Sequence, residues 1–221
     1  MNLRIGILDL MVIYLLPLLF LILFGFVFLL ILFIFVVSPA TDFNFKHDLL
    51  SSFEEQRYVK RFKNGKYKFA RFFLKTMLGD NGTQAIFLYR LSRVFLFHGM
   101  TTAADLIHRM SKLLTGSDIS PYSAIGKGLK IYHGIGIVIG KGTIIGEQCL
   151  FCQGATTGHG HPRIGNRVKF WAGAKVFGNI TVGDDCEIGA NSVLTRSLPE
   201  NSLALGVPAT RIPKWDKSKA K

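Results

Sequence analysis

Ile164-Gly165-Asn166-Arg167-Val168-Lys169-Phe170-Trp171-Ala172-Gly173-Ala174-Lys175-Val176 sets the period of this chain. A large apolar residue stands at 164, 170 and 176, and the step of six continues through Val182, Ile188 and Leu194. Upstream the same step runs through Ile119, Ile125 and Ile131, then Ile139, Ile145 and Phe151. Gly often follows at once (Gly126, Gly140, Gly146, Gly165, Gly183, Gly189), and a small or aliphatic residue often stands four places on (Cys149, Ala155, Val168, Ala174, Cys186, Ser192). A period of six is wrong for a helix and too long for a simple alternation. It fits a solenoid of short strands, in which a single six-residue unit cannot bury its apolar side but stacked coils bury a continuous column.

The period breaks twice. Eight residues separate Ile131 from Ile139, and the interval holds Tyr132-His133-Gly134-Ile135-Gly136. Thirteen separate Phe151 from Ile164, and that interval holds Thr156-Thr157-Gly158-His159-Gly160-His161-Pro162. A solenoid extrudes surplus residues as loops, and loops on rigid scaffolds carry function. Three of the six histidines lie in these breaks.

Ahead of the repeat, Leu10 to Val37 is an uncharged apolar run of 28 residues. As a helix it measures about 42 Å, enough to cross a bilayer with tilt, and it is too long for a signal-peptide core. Residues 41–80 then hold nine Lys or Arg against five Asp or Glu. The charge bias places the C-terminal body on the cytoplasmic side of a single-pass inner (cytoplasmic) membrane protein. Ser51-Ser52-Phe53-Glu54 reads as a helix start, with Asn64-Gly65 as its end. Lys66 to Leu78 interleaves cations with aromatics and suits a lipid surface or a solvated helix with an inward aromatic stripe. Asn81 to Phe97 reads as a helix stopped by Gly99, and Thr102-Ala103-Ala104-Asp105 as the capping box of another that stops at Gly116. After Leu198 a turn at 199–202 leads into a strand over Leu203–Val207, which Pro208 to Arg211 closes.

The formal net charge of +13 raises nucleic acid as a partner. The chain lacks an RNA-binding aromatic signature and zinc-finger spacing, so no nucleic-acid role is expected and the basic excess is assigned to membrane lipid. Cys149 and Cys152 match C-x-x-C in form, but Cys149 and Cys186 fall on small inward positions of the repeat, so neither metal nor disulfide is expected. Gly134-Ile135-Gly136 imitates a dinucleotide-binding turn, but β-branched residues follow where a helix would have to open.

Several segments together resemble the serine acetyltransferases. They are Asp118-Ile119-Ser120-Pro121, Ile131-Tyr132-His133-Gly134-Ile135-Gly136, His161-Pro162-Arg163-Ile164-Gly165-Asn166, Ala172-Gly173-Ala174-Lys175-Val176, Ile188-Gly189-Ala190-Asn191 and Gly206-Val207-Pro208-Ala209. The resemblance covers roughly residues 85–212. It implies a mainly β protein, a left-handed parallel β-helix of hexapeptide repeats, assembled as a homotrimer with acetyl-CoA as co-substrate and active sites between subunits. Taken with the apolar run at the start, the chain divides into four expected parts: a transmembrane anchor over 1–42, where the family has a large soluble helical domain, an α-helical segment over 43–117, partly on the membrane surface, a β-helix acetyltransferase domain over 118–212 and a basic tail over 213–221. His133 matches the family's catalytic histidine, Asp118 the acid that orients it, and His161 the second active-site histidine. Ala172, Gly173, Ala174, Gly189 and Ala190 match the groove for the CoA arm, and Arg211 is taken with them as cofactor-binding. Tyr132, His159 and Gly160 are the expected substrate contacts. Tyr132 stands where the family has Asp, and Gly160 where it usually has Arg; those two residues help to hold serine.

Attack of an alcohol on a thioester needs a base near neutral pH, a role suited to His133, with Asp118 steadying the imidazolium and His161 assisting at the oxyanion. The lost Asp and Arg and the membrane tether favour a sugar hydroxyl of a surface glycan or lipid-linked precursor as acceptor. Serine O-acetylation in cysteine synthesis is the alternative, and a non-catalytic trimeric membrane scaffold the reading of another class.

Overall fold

A computed structural model describes Asn44, residues 47–49 and residues 79–213. The membrane span expected over Leu10–Val37, the helices expected over 51–64 and 66–78, and the tail from 214 on lie outside the described residues. Among the described residues no helix is long and apolar enough to cross a membrane.

Two helices precede the repeat. The first, α1 (Asn81–Phe97), has the bounds its periodicity predicts. Asp80 caps it, its carboxylate accepting from Gly82 N at 3.3 Å and Thr83 N at 3.2 Å, which satisfies donors that a helix start otherwise leaves unpaired. The second, α2 (Thr101–Thr115), starts one residue before the expected cap, follows Met100 and has no side-chain cap. Asp105 instead carries a hydrogen bond to Tyr122, so the expected capping box does not form. Gly116 ends α2 in the left-handed region at φ 70°.

The repeat forms fifteen short strands. They are β1 (Asp118–Ile119), β2 (Ala124–Ile125), β3 (Lys130–Tyr132), β4 (Val138–Ile139), β5 (Ile144–Ile145), β6 (Leu150–Cys152), β7 (Thr156–Thr157) and β8 (Arg163–Ile164). There follow β9 (Lys169–Phe170), β10 (Lys175–Val176), β11 (Thr181–Val182), β12 (Glu187–Ile188), β13 (Val193–Leu194), β14 (Ser202–Gly206) and β15 (Ala209–Pro213). From β1 to β13 each strand pairs in parallel with the third one along, and β12 then pairs in parallel with β14. The first sheet is therefore β1-β4-β7-β10-β13, the second β2-β5-β8-β11, and the third β3-β6-β9-β12-β14-β15. This is a three-sided parallel β-helix. At the end β15 returns antiparallel on β14, where the sequence reading has only a closing turn.

All twelve large repeat positions, from Ile119 to Leu194, are buried, and so are the six small ones. Burial of each large side chain contributes about 1.5–3 kcal/mol, which is what outweighs the ordering of strands only two or three residues long. Phe151 and Phe170 stack in consecutive coils, with ring centroids 4.2 Å apart and planes at 11°. In the longer break Thr157 takes the large inward slot, fully buried, and the surplus residues leave as the turn 158–162.

The helices are fastened to the first coil by one buried ion pair. Arg90, 2% exposed, donates Nε to Asp48 Oδ2 at 2.8 Å; Asp48 is 1% exposed. The guanidinium also donates to Ile125 O at 2.7 Å and Gly126 O at 2.6 Å, and Asp48 accepts from Leu129 N at 2.9 Å. The Tyr89 hydroxyl donates to Ser123 O at 3.1 Å. The coil that leads into His133 is thereby tied to both α1 and the segment around residue 48.

Candidate active site

His133 sits where the chain turns from the third sheet to the first, between β3 and β4. Its backbone is left-handed at φ 56°, a conformation that L residues adopt only under constraint. The constraint is visible on both sides. A Cβ on the next residue, Gly134, would lie 2.8 Å from Gly82 N, so only glycine lets the start of α1 press on this turn. Ser117 Oγ donates to Gly134 O, and Gly136 N donates to Gly116 O at 2.8 Å. The imidazole is exposed and has no hydrogen-bond partner among the described residues.

Asp118 begins the first-sheet strand directly above this turn, paired with Val138, and its N–H donates to Ile137 O at 2.8 Å. The structure therefore brings Asp118 to the edge that carries His133. It does not put the carboxylate on the His133 ring, as the sequence reading expected. Asp118 Oδ1 lies 2.8 Å from His108 Nε2, and Oδ2 lies 3.5 Å from Lys112 Nζ, both on α2. Neither α2 residue was foreseen as a participant. The available signal was spacing: His108 and Lys112 are one turn apart on a helix that ends three residues before Asp118.

The expected cofactor residues fall on the same edge in successive coils. Gly154 N donates to Ile135 O at 3.0 Å, Gly173 N to Gln153 O at 2.8 Å, and Asn191 N to Ala172 O at 2.8 Å. Below His133 the edge thus descends through Gln153-Gly154, Ala172-Gly173-Ala174 and Gly189-Ala190. Gly173 is left-handed at φ 69°, and a Cβ there would collide with Asn191 Oδ1. Ala172 is partly open and Ala190 exposed, whereas Ala174 points into the core and Leu205 covers Gly189. Trp171 fills a slot that holds Gly in several other coils, its Nε1 donating to Glu187 Oε2 at 3.1 Å. Arg211 lies off this edge, on β15, and its Nε donates to Ser202 Oγ at 3.0 Å.

His161 lies on a different edge, where the chain turns from the first sheet to the second between β7 and β8. Its Nδ1 is 3.0 Å from Lys141 O. A carbonyl only accepts, so Nδ1 carries a proton and donates it, which leaves Nε2 as the ring atom free to meet a substrate. His159 is exposed in the same turn, and its carbonyl accepts from Gly178 N at 2.7 Å. Gly160 is left-handed at φ 93°, and a Cβ there would collide with the Gly178 backbone. No side chain fits at 160 along this path. Within one chain, then, the structure brings His133, Asp118 and the Ala/Gly stack to one edge, and His159, Gly160 and His161 to the next.

All three cysteines are buried and free, and two are hydrogen-bonded within the coils. Cys149 Sγ donates to Gly165 O at 3.2 Å and Cys186 Sγ to Pro199 O at 3.0 Å. Burial pushes the Cys149 thiol up to about 11, far from the thiolate that nucleophilic or redox chemistry needs.

A three-sided parallel β-helix whose period breaks at histidines defines the class of hexapeptide-repeat transferases. A bacterial transferase hexapeptide (six repeats) model matches residues 161–196. Serine acetyltransferase from Helicobacter pylori is 41% identical over 140 residues, which is 60% of this chain and 82% of that protein. The chain belongs to the serine acetyltransferase family. Serine acetyltransferase from Synechococcus elongatus is 38% identical over 146 residues, 63% of this chain; the chain spans 60% of that protein's length. Among solved structures, serine acetyltransferase in complex with coenzyme A from Brucella abortus superimposes with a TM-score of 0.68 at 27% identity, covering 78% of this chain and 67% of that one.

Proposed function

We propose that this chain is an acetyl-CoA-dependent O-acetyltransferase acting on the hydroxyl of L-serine, assembled as a homotrimer. The observation that carries the reading is the exposed His133 at the head of an edge whose lower rungs present Ala172, Gly173 and Ala190. A pantetheine arm laid along that edge needs small residues for close approach, and its thioester then ends beside the imidazole. The relatives' names support acetyl transfer to serine in preference to the glycan acceptor expected from sequence.

In the proposed reaction His133 removes the acceptor hydroxyl proton as the oxygen attacks the acetyl carbon. The C–O bond forms and the C–S bond breaks. The imidazolium then returns the proton to the departing CoA thiolate. No acyl-enzyme is needed, in keeping with buried, protonated cysteines. His161 reaches the same cleft from a neighbouring copy, its Nε2 directed at the acceptor or the oxyanion.

A second reading keeps a glycan hydroxyl as acceptor, and one observation favours it. Gly160 lies so close to Gly178 that the arginine usual in the family does not fit on this backbone path, and Tyr132 replaces the family's Asp. A tether over Leu10–Val37, with the body on the cytoplasmic face of the inner membrane, belongs to this reading too. The test is thiol release from acetyl-CoA with L-serine, then with nucleotide sugars and lipid-linked oligosaccharide. Turnover with serine supports the first reading; turnover with glycans alone overturns it for the second; turnover with neither overturns both. Retention of the full-length protein in carbonate-washed membranes tests the tether.

A further inference from the structure

The carboxylate of Asp118 is held from α2. His108 Nε2 lies 2.8 Å from Oδ1 and Lys112 Nζ 3.5 Å from Oδ2. The contact with His108 is the tighter one and the better shielded: the His108 side chain is 17% exposed, that of Asp118 43%. Because a carboxylate only accepts, Nε2 of His108 carries a proton and donates it. A hydrogen bond to a charged group is among the stronger ones and fixes direction as well as distance.

The contact belongs to one hydrogen-bonded assembly with the turn of His133. Lys112 O accepts from Gly116 N at 3.1 Å, closing α2; Gly116 O accepts from Gly136 N at 2.8 Å; Ser117 Oγ donates to Gly134 O. Asp118 follows at once, its N–H on Ile137 O. The end of α2, the carboxylate and the turn that presents His133 therefore move together. An unheld Asp118 side chain would spread over several rotamers, and only some direct its charge toward the catalytic edge.

We propose that His108 is a positioning residue for acyl transfer: its Nε2–H holds the Asp118 carboxylate in the orientation from which Asp118 supports His133. His108 does not touch the acceptor or the thioester. It acts through Asp118 alone, and this rests on the acyl-transfer reading of the site. Lys112, at the longer distance, adds charge but little direction.

The test is a double-mutant cycle on the full-length protein, with kcat and KM read separately from CoA release. His108→Ala is expected to lower kcat about tenfold while KM for acetyl-CoA stays within about twofold, because only the charge that supports the transition state is lost. His108→Gln, whose side-chain amide can donate from a comparable position, is expected to restore most of that loss. In an Asp118→Asn background His108→Ala is expected to change kcat by less than about twofold, the non-additivity of residues acting as a unit. Thermal unfolding and sedimentation of each variant identify any that misfold or dissociate, and the Gln variant carries the test if the Ala variant does. Wild-type kcat in His108→Ala overturns the inference. So does an equal loss in the Ala and Gln variants, or a full further loss in the Asp118→Asn background. A wild-type protein that releases no CoA with any acceptor overturns the acyl-transfer reading itself, which separates the two failures.

Discussion

Replacing Arg90 by Met removes the positive half of a pair whose side chains are 2% and 1% exposed. Met keeps much of the buried volume, so the loss is mainly electrostatic. Asp48 loses its counter-charge while still accepting from backbone N–H groups such as that of Leu129, and Ile125 O and Gly126 O lose a charged donor. Removing one partner of a buried ion pair costs about 3–5 kcal/mol, because the remaining charge stays buried without its counter-charge. The sign with pH follows from Asp48. Burial pushes its carboxyl above the usual carboxylate range, and Arg90 pulls it back down. Without Arg90 the native value rises further, while the unfolded value stays at about 3.9. A raised native pKa means that stability is highest below the unfolded value and is lost as pH climbs through the native one. The deficit of Arg90→Met is therefore larger at pH 8 than at pH 5. Urea unfolding followed by far-UV circular dichroism, at one protein concentration and at both pH values, reads this directly. A deficit below about 1 kcal/mol at pH 8, or one that grows on acidification, refutes the view that this pair fastens the helices to the first coil.

Three further outcomes are expected. Thr157 Oγ1 is buried in a coil interior without a hydrogen-bond partner among the described residues, so Thr157→Val is expected to raise stability by about 1 kcal/mol in the same unfolding assay. Gly173→Ala forces a Cβ against Asn191 Oδ1 at φ 69°; it is expected to cost about 1–3 kcal/mol and to weaken CoA binding measured by calorimetry, with wild-type affinity counting against the CoA edge. Replacing all three cysteines by Ala or Ser is expected to leave kcat within about twofold, whereas His133→Ala lowers it by roughly 100-fold or more; a cysteine-free protein without CoA release would reinstate a thiol in the chemistry.

The coils were legible because the period is itself the packing rule. A residue six steps on points to the same interior, so Ile119 through Leu194 could be placed without tertiary information. Thr157 was harder, being polar in an apolar slot, and the strand β15 was missed because Pro208 reads as an end where a hairpin turns. The bounds of α1 follow from its apolar face and the break at Gly99. The cap of α2 was misplaced by two residues, at Thr102 in place of Met100, because the Thr-x-x-Asp pattern imitates a cap, while Asp105 is engaged by Tyr122. The histidines of the site were visible as breaks in the period, but their partners were not. The contact of His108 with Asp118 depends on how α2 lies against β1, and the steric closure at Gly160 depends on Gly178 one coil away. Pairing across coils is a property of the stack, not of any six-residue unit.

The two histidines divide along the edges of the prism, and this fixes how activity must depend on assembly. His133 follows the third sheet and His161 follows the first, so the two stand at neighbouring corners of one rigid coil stack with the first sheet between them. The stack cannot fold one corner onto another without breaking the parallel pairing that buries its core. If both histidines serve one reaction, the second must come from a neighbouring copy, and a closed cyclic assembly supplies it at every interface. Mixing His133→Ala chains with His161→Ala chains, each inactive alone, then creates some interfaces that carry both intact histidines. For random mixing in equal amounts in a cyclic trimer, roughly a quarter of the sites are whole. The unfractionated mixture from co-expression is therefore expected to recover about a quarter of wild-type CoA release, and hetero-trimers purified from it about a third, against almost none for either parent. Mixed oligomers that stay as inactive as their parents would mean that the site does not combine the two edges, and His161 would lose its place in the mechanism.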